Sequence, residues 1–568
     1  MRPLRVILFA ATLLFSFGTL AQSPEGIVSG NVQVLWQKYN EDSLIGAEVP
    51  PELAGFNAFG NINYSKGNFT AGIRYESYLS PVLGYPGRFN GTGIGYRYAQ
   101  YTLKNLDVTI GNFYDQFGSG MIFRAYEERN LGLDNAMDGF RVVWNPMNGV
   151  YLKGIYGKQR FDFDSRLING PGIVRGFDGE IYLNDTFEKL AEKKTKVTLG
   201  GSFISRYQPG DLVEKSGEVL IDGQAVDTTL FLLLPKNVGA GAARINVLHG
   251  GFNFYGEYVR KINDPNADNA NTYNTGEGIL LQAAYSQRGF GVSTVYKAVD
   301  NMSFRSDRNQ LLFDVPINFI PAITKQHTYN LAATLYPYAT QVNGEVSYSA
   351  EVFYKFKKNT PLGGKYGTNI SVNYATAFTP DTTRYSSSVD ELVYGYERNS
   401  FGIGNEVLVK DLNIEIKKKI NKKLKLSYTY FNMVFNTVRS QVTTDFKGQV
   451  YADIHVLEAN YKIKPKHSVR VEAQTMLTNQ DKKDWATALV EYNWSPHWFF
   501  SVIDQYNFGN DDVDQRVHYL FGTVGYINGA NRISFGYGKR RAGVFCVGGV
   551  CRVVPASNGM EITITSSF

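Results

Sequence analysis

Short segments in which apolar and polar residues alternate recur along the chain, roughly every 20 residues, as in tilted membrane strands with their connections. Examples are the segments 28–36, 69–76 and 424–430. A period of two residues places successive side chains on opposite faces of a strand. The spacing of about 20 residues is close to one tilted membrane strand of roughly 9–11 residues plus its connection. The pattern therefore predicts an all-β protein whose strands each have one apolar and one polar face.

Composition supports strands over membrane helices. After the first 20 residues no stretch approaches the roughly 18 consecutive apolar residues of a transmembrane helix, and the mean hydropathy is −0.24. The chain contains 38 Tyr, 37 Phe and 57 Gly, residue types that favour pleated surfaces, membrane interfaces and tight turns. The net charge of +6 is spread over both signs. Because no basic stripe carries interleaved aromatic residues, nucleic acid is not an expected partner.

The beginning of the chain resembles an export signal. Arg2 and Arg5 precede an apolar run over residues 6–20, and Ala21 offers a small-residue cleavage site. We therefore expect a signal peptide over 1–21 and a single outer-membrane β-barrel over 22–568. Few residues separate Gln22 from the first alternating segment, which argues against an N-terminal plug domain.

Connections between the alternating segments fall into two classes, as in bacterial membrane barrels. Short turns are predicted near 65–68, 145–149, 248–251, 287–289 and 421–423. Long loops are predicted near 39–55, 116–137, 159–171, 207–239, 300–327 and 379–408. With both chain ends on one side, the number of strands must be even. We predict a large transmembrane antiparallel up-and-down β-barrel of 22–26 strands, with the count least certain between 300 and 378.

The last residues alternate to the final position. Ile562, Ile564 and Phe568 share one face, and Glu561 and Thr563 lie on the other. This ending resembles the terminal signal of bacterial outer-membrane barrels, in which the last strand closes the barrel and is read by the barrel assembly machinery. The match departs from that pattern at Ser566. The resemblance implies a bacterial outer-membrane location, with outer-membrane lipid and the assembly machinery as partners.

The two cysteines, Cys546 and Cys551, flank a four-residue loop that contains Gly548-Gly549. A hairpin turn would place them at a separation that a disulfide can bridge. Because an exported protein meets an oxidising compartment, a Cys546–Cys551 disulfide is the preferred interpretation. A metal or redox pair is the alternative.

The densest polar segment covers residues 111–139, which are rich in Gly and in charges of both signs. In a wide barrel, a loop of this kind can fold inward and narrow the lumen. The candidate constriction residues are Arg124, Glu127, Glu128, Arg129, Asp134 and Asp138. Two interpretations remain open, a constriction that selects solutes and a salt-bridged network that braces the wall.

No motif indicates an enzyme, a cofactor or a metal site. The six His residues are scattered singly, and no Ser, Cys or His accompanies carboxylates in a catalytic order. The basic run 417–423 is interpreted as a solvated turn or a docking point for a periplasmic partner. Two acidic patches, 263–268 and 510–514, lack the spacing of a calcium-binding loop.

The segments 111–139, 360–368 and 545–568 together resemble a domain-of-unknown-function family of large outer-membrane proteins in Gram-negative bacteria. The resemblance implies an outer-membrane barrel and supplies no catalytic residues. The sequence therefore favours a porin-like channel or transport protein with inward-folded loops. The alternative is a structural or assembly component of an envelope complex, with an envelope protein as partner and no conducting pore. An outer-membrane enzyme is the third and least supported hypothesis.

Overall fold

Twenty-four antiparallel strands close into one up-and-down barrel. The computed structural model describes residues 26–210, 212–221, 223–312, 314–385, 387–439 and 446–568. An all-β barrel with an even number of strands between 22 and 26 is thereby confirmed. The predicted signal peptide over 1–21 lies outside the described residues.

The barrel strands are numbered here in chain order. They are β1 Ile27–Asn40, β2 Ala54–Lys66, β3 Phe69–Tyr78, β4 Phe89–Thr102, β5 Leu106–Phe113, β6 Met137–Met147, β7 Val150–Asp164, β8 Leu167–Tyr182, β9 Thr195–Tyr207, β10 Asn237–His249, β11 Phe252–Lys261, β12 Gly276–Gln287, β13 Phe290–Asp300, β14 Gly344–Phe356, β15 Thr368–Thr383, β16 Glu397–Lys419, β17 Leu424–Asn436, β18 Gln449–Lys464, β19 His467–Leu477, β20 Trp485–Trp494, β21 Trp498–Tyr506, β22 Phe521–Asn528, β23 Asn531–Arg540 and β24 Ser557–Ser567.

The first and last strands join to close the sheet. β24 pairs with β23 on one side and with β1 on the other, where Val34 lies opposite Ile564. The final residue extends this pairing, because Gly30 and Phe568 exchange backbone hydrogen bonds of 2.9 and 3.0 Å. The predicted terminal-signal residues Ile562 and Ile564 thus lie on the strand that completes the ring, and Phe568 directly follows it.

The two ends of the barrel differ in their connections. Most of the turns at the end that holds Ile27 and Ser567, called the turn end, are short, and long loops leave most strands at the opposite, loop end. One loop prediction was wrong, and another was right in position but too short. Residues 159–171 belong mostly to β7 and β8, which meet in a two-residue turn at 165–166. The loop predicted at 300–327 extends to 343, so residues 301–343 contribute no barrel strand.

Alternation gives the wall an apolar outer face. Phe203 and Tyr258 are 43% and 39% exposed, whereas their neighbours Ile204 and Val259 face the lumen and are 0% exposed. Near the turn end, exposed aromatic side chains surround the barrel, as in the interfacial girdles of membrane barrels. They are Tyr64, Phe69, Tyr101, Trp144, Phe252, Tyr285, Tyr354, Tyr461, Trp494 and Trp498.

The elements outside the wall are small. Four two-stranded hairpins occur in the connections: Asp115–Phe117 with Phe123–Ala125, Glu127–Glu128 with Leu133–Asp134, Leu212–Ile221 with Gln224–Leu233, and Gly543–Val547 with Val550–Val554. The α-helices are Leu183–Thr186, Glu188–Ala191, Asn330–Thr334 and Ser388–Tyr394, and the 3₁₀ helices are Ser43–Ile45, Ala267–Asn269 and Val513–Gln515. Within the described ranges, no helix has the length and apolar character needed to cross a membrane.

Candidate functional site

Three connections from the loop end fold into the barrel. They are the first inward segment, residues 114–136, the second inward segment, residues 301–343, and the disulfide hairpin, residues 543–554. We call them together the plug. Phe117, Met121 and Phe123 of the first inward segment have no exposed surface, which a loop lying in solvent could not achieve. The lumen is therefore occupied by the chain's own loops.

Apolar packing fixes the plug to most of the wall. One cluster joins the first inward segment and residues 302–320 to luminal side chains of β5–β13, among them Val174, Ile204 and Val259. A second cluster joins residues 323–338 and Val544 to β15–β20. Burying apolar surface stabilises such contacts by about 25 cal/mol per Å². We call β5–β13 and β15–β20 the packed arc of the wall. It holds the plug along much of the barrel's circumference.

Backbone hydrogen bonds connect the parts of the plug to one another. The Arg124 N–H donates to the Ile317 carbonyl at 2.8 Å, and the Phe319 N–H donates to the Gly120 carbonyl at 2.9 Å. The Thr340 N–H donates to the Gly549 carbonyl of the disulfide hairpin at 3.1 Å. The three segments consequently form one connected body.

A buried ion network ties the first inward segment to the wall. Glu76 on β3 accepts from Arg74 of the same strand and from Arg160 on β7, both at 2.6 Å. The two arginines reach Asp134, at 2.8 Å from Arg160, and Arg74 also reaches Glu127 at 3.0 Å. Arg74, Glu76 and Arg160 have side chains at most 4% exposed. Groups so deeply buried do not line a water-filled passage, so the geometry is that of a brace.

The structure brings only part of the predicted constriction set together. Arg129 joins the network through Glu127 at 2.8 Å and lies over the Phe59 ring. Arg124 instead stacks between Tyr126 and Phe319, with its guanidinium carbon 4.3 and 4.2 Å from the ring centres. Glu128 accepts from the backbone N–H of Asn130.

Asp138 lies apart from the other five residues. It is on β6, where the alternation places it on the same face as Phe140, whose side chain is 47% exposed on the outside of the barrel. It pairs there with Arg97 at 3.2 Å and accepts from Asn169 at 2.8 Å. The physical reason is that β6 already begins at Met137, so Asp138 belongs to the wall and not to the inward segment.

Cys546 and Cys551 are joined by a disulfide, with a Cα–Cα distance of 4.1 Å. They lie directly opposite each other in the hairpin of Gly543–Val547 with Val550–Val554. This hairpin is a separate two-stranded sheet between β23 and β24 and is not part of the barrel wall. The sequence analysis did not predict that placement. Both cysteines pack against the second apolar cluster.

One arc of the wall is not covered by the plug's apolar core. Among the described residues, β21–β24 and β1 contribute no member to the buried apolar clusters. We call these five strands the free arc. A cavity of about 380 Å³ lies between them, the disulfide hairpin and the helix Asn330–Thr334. Such a volume falls within the range of roughly 300–1,000 Å³ of small-molecule sites.

The cavity is lined by basic side chains. Lys539, Arg540, Arg541 and Arg552 border it, and no Asp or Glu of the described chain does. Burial lowers the pKa of Arg541 to about 10 and lowers the pKa of Arg552. Both groups keep their positive charge at neutral pH, because arginine starts from a pKa above 12.

The sequence did not single out the residues that organise this interior. Glu76 and Arg160 occur in ordinary alternating strands, although Arg74-x-Glu76 places opposite charges two residues apart on one strand face. Arg552 gave no local signal, and Arg541 ends the basic run Lys539-Arg540-Arg541, which the sequence analysis did not single out. Within the residues that the structure describes, no cluster of three or more His, Cys, Asp or Glu side chains could hold a metal ion.

Comparison with known proteins gives a family and distant structural likenesses. A family model described as "Family of unknown function (DUF6029)" matches residues 3–568. No curated protein sequence shows significant similarity to the chain.

Some solved structures are similar to the chain, at low sequence identity and low TM-score. The P pilus usher (PapC) translocation pore is 8% identical, with a TM-score of 0.37 over 95% of this chain and 99% of that chain. The siderophore receptor PirA from Pseudomonas aeruginosa is 11% identical, with a TM-score of 0.38 over 96% and 81%. A BenF-like porin from Pseudomonas fluorescens Pf-5 is 10% identical, with a TM-score of 0.28 over 85% and 97%.

Proposed function

The chain belongs to the family of unknown function DUF6029, and we propose that it is an outer-membrane barrel protein that carries small solutes through its lumen. The apolar outer face and the aromatic residues near the turn end support residence in a membrane. The alternation of short turns and long loops supports the bacterial outer membrane as that membrane.

The observation that carries the transport proposal is the cavity beside the free arc. Along the packed arc, luminal side chains such as Ile204 and Val259 are fully buried against the plug. Along the free arc, Gln37, Gln505 and Arg540 instead line open space of about 380 Å³. A solute that enters the barrel meets least resistance here, because no buried apolar core has to be broken. The plug is the gate, and the disulfide hairpin is the gate element nearest to the route.

Conductance of purified protein in planar bilayers tests this function. The wild-type barrel is expected to conduct weakly or intermittently, and replacing residues 543–554 by a short Gly-Ser linker should raise conductance several-fold. The matched control removes the hairpin of Leu212–Ile221 with Gln224–Leu233, most of whose side chains are exposed, and should leave conductance unchanged.

Heat-dependent electrophoretic mobility provides the folding check for each variant, since a closed barrel resists detergent until it is heated. If correctly folded wild-type and linker variants both fail to conduct, the transport proposal is wrong. That result would favour the structural or assembly component, for which a permanently filled lumen is sufficient.

A further inference from the structure

The basic residues at the cavity are not equivalent in their pairing. Lys539 contacts Asp42 at 2.7 Å, and Arg540 contacts Glu561 at 2.7 Å. Glu561 also accepts from Gln37 of β1 at 2.7 Å. These two cations are therefore paired with carboxylates.

Arg541 and Arg552 have no such partner. Among the described residues, neither forms an ion pair with a carboxylate. Arg541 donates to Gln505 Oε1 at 2.8 Å, to the Ala542 carbonyl at 3.0 Å and to the helix residues Asn330 and Thr334. All of these acceptors are neutral, so the charge of Arg541 is solvated by dipoles but not compensated.

Arg552 lacks acceptors as well as a counter-charge. Its Nε and Nη1 atoms are buried and make no hydrogen bond, and the guanidinium lies 5.8 Å from the centre of the Tyr85 ring. A buried donor without an acceptor destabilises the protein because it has lost its hydrogen bonds to water, and the cost is larger when the donor is charged. An anion near this side chain would remove that cost, because charge-assisted hydrogen bonds to a guanidinium are among the strongest in proteins.

The shape of the site increases the effect of the two charges. The wall side chains Leu35, Ile503 and Phe521 and the hairpin residues Val544 and Phe545 supply apolar walls around them. Low-dielectric walls around charges of one sign focus the electric field and raise the local concentration of the opposite ion. The cavity thus combines two uncompensated cations, unmet hydrogen-bond donors and room for a small molecule.

We propose that this cavity binds small oxyanions, meaning solutes with a phosphate or carboxylate group, and that Arg541 and Arg552 hold them. The inference deepens the proposed transport function by naming its substrate class, and it rests on that function for the transport step only. Binding itself requires nothing beyond the closed barrel.

Calorimetric titration of the purified protein in detergent with inorganic phosphate, at fixed chloride concentration, tests binding without transport. Saturable binding is expected for the wild type and at least tenfold weaker binding for Arg552→Gln and Arg541→Gln. Arg175→Gln is the matched control, since Arg175 is exposed on the outer face of β8 and loses the same charge. Arg552→Lys keeps the charge and should bind within a few-fold of the wild type.

Absence of saturable phosphate binding by the wild type, or equal affinities in all variants with intact heat-dependent mobility, would overturn the inference. Reversal potentials measured in a potassium chloride gradient distinguish a failure of this binding inference from a failure of the proposed transport function. If the wild-type barrel prefers anions and this preference falls in the double variant Arg541→Gln/Arg552→Gln, the result supports both the anion site and the transport function. Phosphate binding without conductance refutes transport and keeps the site, whereas conductance without phosphate binding refutes the site alone.

Discussion

The packed arc and the free arc of the same barrel wall differ in how they contact the plug. Along β5–β13 and β15–β20, luminal side chains interlock with the inward segments and exclude water. Along β21–β24 and β1, the wall faces a cavity bordered by basic residues. The difference shows that a filled lumen need not be uniformly sealed. The plug is anchored by apolar packing on one side of the barrel and leaves an open cavity on the other.

The largest contrast between the arcs is expected from their ion pairs. Arg160→Met leaves Glu76 buried without one of its two cationic partners, and breaking a buried pair costs about 3–5 kcal/mol. Arg540→Met removes a partly exposed pair with Glu561, which should cost no more than about 1 kcal/mol. Urea unfolding in detergent, followed by tryptophan fluorescence, compares the free energies of unfolding. Equal losses of unfolding free energy in the two variants would contradict the division of the wall into a packed arc and a free arc.

Truncation of apolar side chains should give the next largest contrast. Ile204 is fully buried against the plug, so Ile204→Ala should lower the free energy of unfolding by about 2–4 kcal/mol. Ile503 borders the cavity, so Ile503→Ala should cost about 1 kcal/mol or less, because little packing is lost. The same unfolding measurement tests this prediction. A larger loss of unfolding free energy for Ile503→Ala than for Ile204→Ala would contradict the assignment of the plug's apolar contacts to the packed arc.

Removing the disulfide should loosen the plug only beside the free arc. For a loop this short, loss of the cross-link is worth about 2 kcal/mol in the chain-entropy treatment. The double variant Cys546→Ser/Cys551→Ser should therefore exchange its backbone amides faster over 543–554, measured by hydrogen–deuterium exchange. Residues 114–136, held by the packed arc, serve as the internal control. Faster exchange in both segments would mean that the plug responds as a single rigid unit.

The smallest expected effect concerns acid. Burial by itself raises the pKa of Asp115 in the first inward segment, but Lys153 and Arg141 more than offset it and hold the pKa below its ordinary value. A carboxyl with a lowered folded-state pKa stabilises the fold above its unfolded pKa of about 3.9 and loses that contribution as pH falls further. Protease resistance of residues 114–136 should stay constant from pH 7 to 5 and decline below about pH 4. Asp115→Asn should remove this step.

The sequence predicted the wall well because a strand carries its own pattern. Alternation in segments such as 69–76 and 424–430 reports the two faces directly, and short turns such as 288–289 mark where neighbouring strands reverse. The inward direction of residues 114–136 was also foreseeable from their length and mixed charges. The ends of strands were harder to predict. Residues 159–171 are polar and were predicted as a loop, although they form parts of β7 and β8.

The interior could not be predicted, since its contacts depend on the closed ring. Glu76 meets Arg160 across 84 residues and Arg541 meets Asn330 across 211 residues. No local pattern encodes such encounters. The segment 111–139 attracted attention because its charges are dense, yet Asp138 belongs to the outer face. The charges at the cavity lie elsewhere, since Arg541 ends the short basic run Lys539-Arg540-Arg541 and Arg552 has no charged neighbour in the sequence.

The position of the cavity also bears on the order in which the barrel is made. Its free arc contains the seam between β1 and β24, where Gln37 and Glu561 meet although 524 residues separate them in the chain. Contacts of such long range form late, because a large loop entropy must be overcome before they give any stabilisation. The inward segments precede the seam strand β24 in the chain. The cavity is complete only when β24 pairs with β1, because residues of both strands line it, so a barrel whose seam stays open would lack this enclosed cavity.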